Sequence, residues 1–190
     1  MRIVGGKFRG RKLVTPAGRQ TRPTSDQVRE SIFNILASAA WAPPLEGAVV
    51  ADIFAGSGAL GLEALSRGAS FCLFVETAPA ARAAIRENIM NMGLGGCTRI
   101  HRRDATRLRI EPGNLRGPFS HVFIDPPYHE EMGVPVLRKL DTFGLLADDA
   151  VIIYEMARTE DPNLDQYTIH DTRIWGAAKV VFLGRAKPAT

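Results

Sequence analysis

The stretch His121-Val122-Phe123-Ile124-Asp125-Pro126-Pro127-Tyr128 places an acid, two prolines and an aromatic ring at the end of an apolar run. These residue types suit chemistry on an exocyclic amino group of a nucleic-acid base. Such a nitrogen is a poor nucleophile because its lone pair is conjugated with the ring, so a catalyst gains most by orienting it. Asp125 offers a carboxylate acceptor, and the prolines, lacking N–H, leave outward-facing carbonyls in a stiff turn. Each proline also holds its predecessor extended, so Asp125 and Pro126 are set before substrate arrives. Tyr128 adds a face for base stacking, a contact worth about 1–3 kcal/mol in single-stranded recognition. On its own the tetrapeptide also reads as an ordinary tight turn after a strand.

A second group lies upstream, in Asp52-Ile53-Phe54-Ala55-Gly56-Ser57-Gly58-Ala59-Leu60-Gly61. Residues 56–61 match Gly-x-Gly-x-x-Gly, a pattern that brings backbone close to a ligand at the carboxyl edge of a sheet. Nicotinamide or flavin dinucleotides are one class of ligand for it. S-adenosylmethionine is the other, and the acids favour it. Asp52, just before the turn, suits the cationic amino-acid end of S-adenosylmethionine but would lie unhelpfully near a pyrophosphate. Glu76 closes the next strand, placed to accept from both ribose hydroxyls, and Asp104-Ala105 follow a third strand where Asp104 could bond the adenine amino group. The expected cofactor residues are therefore Asp52, Phe54, Gly56, Gly58, Glu76, Asp104 and Ala105. Asp52 alone would be no more than a capping carboxylate; the set carries the reading.

Helix and strand signals alternate, as in an α/β domain with a mainly parallel sheet. Thr24 with Gln27 forms a capping box, and Val28, Ile32, Ile35, Leu36 and Ala39 follow helical spacing until Pro43-Pro44. Val49 to Phe54 is a nearly unbroken apolar run, as in a strand buried on both faces. Leu60 to Arg67 reads as the crossover helix, stopped at Gly68, and Phe71 to Val75 as the next strand. Pro79 starts a helix that Gly93 ends. Arg99 to Arg103 is polar enough to be an edge strand. A helix over Val134 to Leu140 precedes strands at Ala150 to Glu155, Tyr167 to Trp175 and Lys179 to Leu183. Glu155 shares the carboxyl edge with Asp125, where it either touches substrate or orients the loop.

Charge is unevenly spread. The chain of 190 residues carries +4, yet residues 1 to 30 hold eight Lys/Arg against Asp26 and Glu30, a local +6 that leaves −2 for the rest. A basic arm on a near-neutral body is the footprint of phosphate contact. Arg9, Arg11, Lys12, Arg22 and Arg29 are the expected RNA contacts, with Arg2-Ile3-Val4 and Lys12-Leu13-Val14 pairing as a hairpin. A solvated tail that aids solubility is the plainer alternative. One domain is expected, with residues 1–22 as arm and 23–190 as catalytic core. The two cysteines, Cys72 and Cys97, lack metal or redox spacing and read as reduced structural thiols; the four histidines show no metal-ligand pattern. No segment approaches the ~20 apolar residues of a membrane span, and the N-terminus lacks a signal-peptide core, so a soluble cytoplasmic monomer is expected.

The order Asp52-x-Phe54-Ala55-Gly56-Ser57-Gly58, Glu76, Asp104-Ala105 and Asp125-Pro126-Pro127-Tyr128 resembles the amino-group methyltransferases of nucleic acids. Arg2-Ile3-Val4-Gly5-Gly6-x-x-Arg9-Gly10-Arg11-x-Leu13, Arg22-Pro23-Thr24-x-Asp26-x-Val28-Arg29-Glu30-x-x-Phe33-Asn34 and the run from Phe54 to Ala64 narrow this. Together they look like the RsmD-type methyltransferases of small-subunit ribosomal RNA. That resemblance implies a Rossmann-like, seven-stranded, mostly parallel sheet with helices on both faces. It also implies methylation at N2 of one guanine in 16S rRNA, naked or in the assembling small subunit, with S-adenosylmethionine as donor. Two positions depart from the pattern: Tyr128 stands where many relatives have Phe, and Thr77 replaces an acid expected after Glu76. The catalytic residues implied are Asp125, Pro126 and Tyr128, with no metal. Three competitors stay open: an adenine-N6 methyltransferase of DNA or RNA, a dinucleotide-dependent oxidoreductase, and a non-catalytic RNA-binding module.

Overall fold

The continuous apolar runs form strands because both faces of the sheet are covered. The computed structural model describes residues 1–16, 25–109 and 115–185. Helix α1 is Asp26–Ser38, followed by β1 Val49–Ile53, α2 Ala59–Ser66, β2 Phe71–Val75, α3 Pro79–Met92 and β3 Thr98–His101. Then come β4 Phe119–Ile124, α4 Gly133–Thr142, β5 Leu146–Ala157, β6 Thr168–Trp175 and β7 Ala178–Gly184. The sheet order is β3-β2-β1-β4-β5-β7-β6. The first five strands in that order run parallel, while β7 is antiparallel to both β5 and β6. This is the seven-stranded, mostly parallel Rossmann-like sheet that the resemblance implied. From β1 the chain steps outward to β2 and β3, then returns to place β4 on the other side of β1, which makes the β1/β4 boundary the switch point.

Strand alternation divides the core into two layers. Val50, Cys72, Phe74, Phe123, Val151 and Ile153 pack with Ile32 and Phe33 of α1, Leu62 of α2 and Ile85 of α3. Ala51, Leu73, Val122, Ile124 and Ile152 face the opposite layer with Val136, Leu137 and Leu140 of α4. Gly61 allows α2 to sit close on β2, since a Cβ there would fall 2.5 Å from Cys72 Sγ and from the Phe74 ring.

Several sequence expectations shift by a residue or two. The expected capping box is replaced by Ser25, whose Oγ accepts from Val28 N–H at 3.2 Å; Thr24 lies outside the described residues. Helix α1 stops at Ser38, ahead of Pro43-Pro44. The edge strand β3 ends at His101 rather than Arg103.

The N-terminal segment folds back onto the core. Arg2 and Lys12 form one antiparallel bridge, with Ile3 N–H bonded to Arg11 O at 2.9 Å and Gly10 N–H to Ile3 O at 2.8 Å. Ile3 and Leu13 are buried among the helices. Gly6, at φ +73°, approaches α2 so closely that a Cβ would lie 1.9 Å from Ser66 O. The boundary expected at residues 22 and 23 falls outside the described residues.

Arg29 requires a correction. Expected to meet RNA, it is fully buried, paired with Asp26 at 2.8 Å and with Glu63 at 3.7 Å, and it donates to Arg2 O. Glu63 is also fully buried, accepting from Val4 N–H at 2.8 Å and Arg67 Nε at 2.7 Å. The cation therefore ties the N-terminal segment to the core, because a charge without water is held by opposite charge and hydrogen bonds.

Candidate active site

A cavity of about 910 Å3 opens at the carboxyl ends of β1, β2, β4 and β5, on the edge where α/β sheets bind ligands. The parallel register produces this convergence. Ile53 pairs with Val75 and with Ile124, so the residues just beyond them turn out of the sheet together. Ala55 N–H bonds Val75 O at 3.1 Å, Asp125 N–H bonds Ile53 O at 3.3 Å and Glu76 N–H bonds His101 O at 3.0 Å. Asp52, Phe54, Gly56, Glu76, Asp104, Ala105, Asp125, Pro126 and Tyr128 all line the cavity. Gly58 does not. It caps α2 at φ +78° beneath the turn, where a Cβ would lie 3.1 Å from the Phe74 ring.

The turn from β1 to α2 is held in uncommon backbone geometry. Phe54 is a non-glycine residue at φ +63°, and Gly56 follows at φ +55°. Such a residue stores about 1–3 kcal/mol of strain, which surrounding bonds must offset. Glu76 supplies them: Oε2 accepts from Gly56 N–H at 2.9 Å and Oε1 from Ala78 N–H at 2.7 Å. Asp104 is similarly fixed, its Oδ1 accepting from Thr106 N–H at 2.8 Å and Thr106 Oγ1 at 2.7 Å. Those two bonds, side chain first, hold its carboxyl below the usual range.

Asp52 is almost fully buried and accepts from Gly61 N–H at 2.9 Å. Burial pushes its carboxyl up from 3.8 to about 8, against that hydrogen bond and with a further push from Glu76. No cation is among the groups that set this value. A buried acid of this kind, at the foot of an open turn, fits a ligand with a positive charge. Gly56 lines the cavity, and a Cβ there would meet no protein atom within 4 Å.

The linkage sign for Asp52 follows from the raised value. Between about 4 and 8 the unfolded chain loses this proton before the folded chain does, so folding stability falls as pH rises through that window. Asp52→Asn keeps an oxygen for Gly61 and removes the charge. The variant is expected to lose less stability than the parent between pH 5 and 8 (about 4 to 8 being the window above) in thermal melts, and parallel curves would refute the assignment.

The other half of the cavity is the Asp-Pro-Pro-Tyr turn. Asp125 is half-buried, and burial first, then the charges of Glu155 and Asp52, raise its carboxyl well above the ordinary range. Tyr128 Oη donates to Glu155 Oε1 at 3.0 Å, which fixes the ring. Past it, His129 and Glu131 take φ +64° and +49°.

Sequence reading missed part of the wall. Thr15 and Pro16 line the cavity, held by Asn88 of α3. Its Oδ1 accepts from Val14 N–H at 2.8 Å, and its Nδ2 donates to Val14 O at 3.0 Å and Ser57 O at 3.2 Å. One amide thus links the N-terminal segment to the glycine turn. The signal was a polar residue on the buried stripe of Ala81, Ala84, Ile85 and Met92. Glu63 left a similar one, a lone acid in the apolar helix ALGLEALS.

Arg9, Arg11 and Lys12 are exposed, with Arg11 Nη1 bonded to Asn91 O at 2.8 Å. Arg22 lies outside the described residues. Among the described residues no group of His, Cys, Asp and Glu could hold a metal, and no helix is long and apolar enough to cross a membrane.

Known proteins are similar to this chain in sequence and fold. The family described as conserved hypothetical protein 95 matches residues 1–184. Ribosomal RNA small subunit methyltransferase D of Escherichia coli strain K12 is 39% identical over 155 residues, 82% of this chain and 74% of that protein. The yhhF structure from Escherichia coli is 34% identical, with a TM-score of 0.81 over 97% of each chain. The ribosomal protein L11 methylase of Lactobacillus delbrueckii subsp. bulgaricus, 17% identical, shares the fold with a TM-score of 0.65 over 86% of this chain and 81% of its own. With the family match running from the docked N-terminal segment to β7, the chain belongs to the conserved hypothetical protein 95 family, the RsmD-type methyltransferases.

Proposed function

We propose that the chain methylates the exocyclic N2 amino group of a guanine in 16S rRNA, with S-adenosylmethionine as donor. The observation that carries this reading is the meeting in one cavity of a buried, cation-seeking Asp52 and the Asp125-Pro126-Pro127-Tyr128 turn. When bound, the cofactor supplies a methyl group made electrophilic by a sulfonium.

The chain's residues do the rest. Asp52 would hold the amino-acid end, while Glu76 and Asp104, already anchored by backbone N–H groups, would offer their remaining acceptor sites to the ribose hydroxyls and the adenine amino group. Phe54, Gly56 and Ala105 shape the wall around them. The target guanine leaves its stack, lies against Tyr128 and donates its N2 hydrogens to Asp125 and the Pro126 carbonyl. Held in this way, the nitrogen lone pair would be directed toward the methyl group that the cofactor supplies, and the amino group would give up a proton as it is methylated. The raised affinity of Asp125 for protons suits it to receive that one. Positioning supplies most of the acceleration.

The test is transfer of labelled methyl to unmodified small-subunit particles, with naked 16S rRNA and duplex DNA in parallel, followed by nucleoside analysis. N2-methylguanosine from ribosomal substrate is expected; N6-methyladenine would overturn the base assignment.

The basic N-terminal surface gives a separate prediction. Deleting it would take Val4 N–H from buried Glu63 and the Arg2 carbonyl from buried Arg29, so charge removal is the cleaner probe. Arg9→Gln and Lys12→Gln should each lower the slope of log affinity for RNA against log salt by about 0.7–0.9, without changing cofactor affinity. An unchanged slope in the double variant would exclude phosphate contact there.

A further inference from the structure

Glu155 stands beside Asp125 by register. The last β4/β5 pair is Ile124 with Tyr154, so the next residue of each strand is an acid at the same carboxyl edge. Glu155 is buried yet lines the cavity. Tyr128, the stacking ring, donates its hydroxyl to Glu155 at 3.0 Å, which fixes the carboxylate next to the edge of any base lying on that ring. A carboxylate has about four acceptor sites, more than the Tyr128 hydroxyl uses.

Guanine and adenine differ at the position this carboxylate would meet. Beside its exocyclic amino group guanine carries an N1–H donor, whereas adenine carries an N1 lone pair. We propose, resting on the guanine reading above, that Glu155 is the specificity residue of this site: its carboxylate accepts N1–H from the target guanine and repels the N1 lone pair of adenine. Asp125 and Pro126 handle the reacting amino group, which both bases possess, and Glu155 reads the neighbouring atom, which distinguishes them. In a buried site the mismatch is costly, since carboxylate and lone pair would both stay without a proton.

2-Aminopurine probes this contact, because it keeps the N2 amino group and replaces N1–H by a lone pair; it also lacks O6, a loss that the comparison of parent with Glu155→Gln cancels. Small-subunit particles are reconstituted with guanine or 2-aminopurine at the nucleotide methylated by the parent enzyme, and kcat/KM for methyl transfer is measured on each. The parent should prefer guanine by about 100-fold or more. Glu155→Gln, whose amide can donate to N1, should lose about 100-fold on guanine and less than about 3-fold on 2-aminopurine, so that the preference collapses. Tyr128→Phe should lower both rates together. If Glu155→Gln lowers both equally, the residue only positions Tyr128 and the proposal fails. Equal parental rates on the two bases would overturn it without any variant. Absence of N2-methylguanosine from the guanine particles would instead overturn the guanine reading itself.

Discussion

Asp125→Ala should lower methyl transfer by about 10²–10³-fold, the usual loss on removing one preorganised polar group from a reacting centre. Cofactor affinity should stay within a few-fold, because the residues proposed to hold the cofactor, Asp52, Glu76 and Asp104, line the cavity from other strands. Asp125 is also costly to the fold. Burial and the nearby Glu155 charge make its carboxylate unfavourable, so removing it should raise the melting temperature of the free protein at neutral pH while activity falls. Single-turnover transfer, calorimetric titration of cofactor and thermal melts check the three parts. Turnover within about 5-fold of the parent, far short of the loss expected for such a group, would exclude Asp125 from the chemistry.

Glu63→Ala is expected to produce the largest loss of stability. The substitution removes one of the two carboxylates paired with fully buried Arg29, leaving only Asp26 of that pair, and deprives Arg67 and Val4 N–H of their acceptor. Breaking a buried ion pair on one side costs about 3–5 kcal/mol, which for a chain of this size corresponds to a fall in melting temperature on the order of 10 °C. Glu63→Gln retains one acceptor and should cost less. The damage should spread to the cavity, because the N-terminal segment that Glu63 anchors carries Thr15 and Pro16 to its wall. Limited proteolysis should then cut within residues 1–16 before the core. A melt within about 1 °C of the parent would contradict the network, given a penalty of that size.

Much of this was legible in sequence where the signal is local. Phe71 to Val75 could only be a strand, and Pro79 with Gly93 marked both ends of α3. The acids at the sheet edge were legible because parallel strands deliver their carboxyl ends to one place. What sequence did not disclose was long-range partnership. Arg29 counted as one more basic residue, since a charge count cannot separate a solvated guanidinium from one enclosed by Asp26 and Glu63. Glu76 looked like a pure ligand acceptor, yet both its oxygens also brace the backbone of Gly56 and Ala78. The link from Asn88 to Val14 and Ser57 spans 74 and 31 residues, a distance no periodicity encodes.

The placement of β7 bears on how the chain is made. The last of these seven strands in chain order is not at the margin of the sheet but between β5 and β6. A nascent chain emerging in order therefore presents β5 and β6 with no partner between them, each offering a row of unsatisfied backbone groups. Only when Ala178–Gly184 arrives do both edges close at once. The interval before that is the point in this protein's life when pairing with a foreign strand is easiest, and a chaperone that shields open strands would act there.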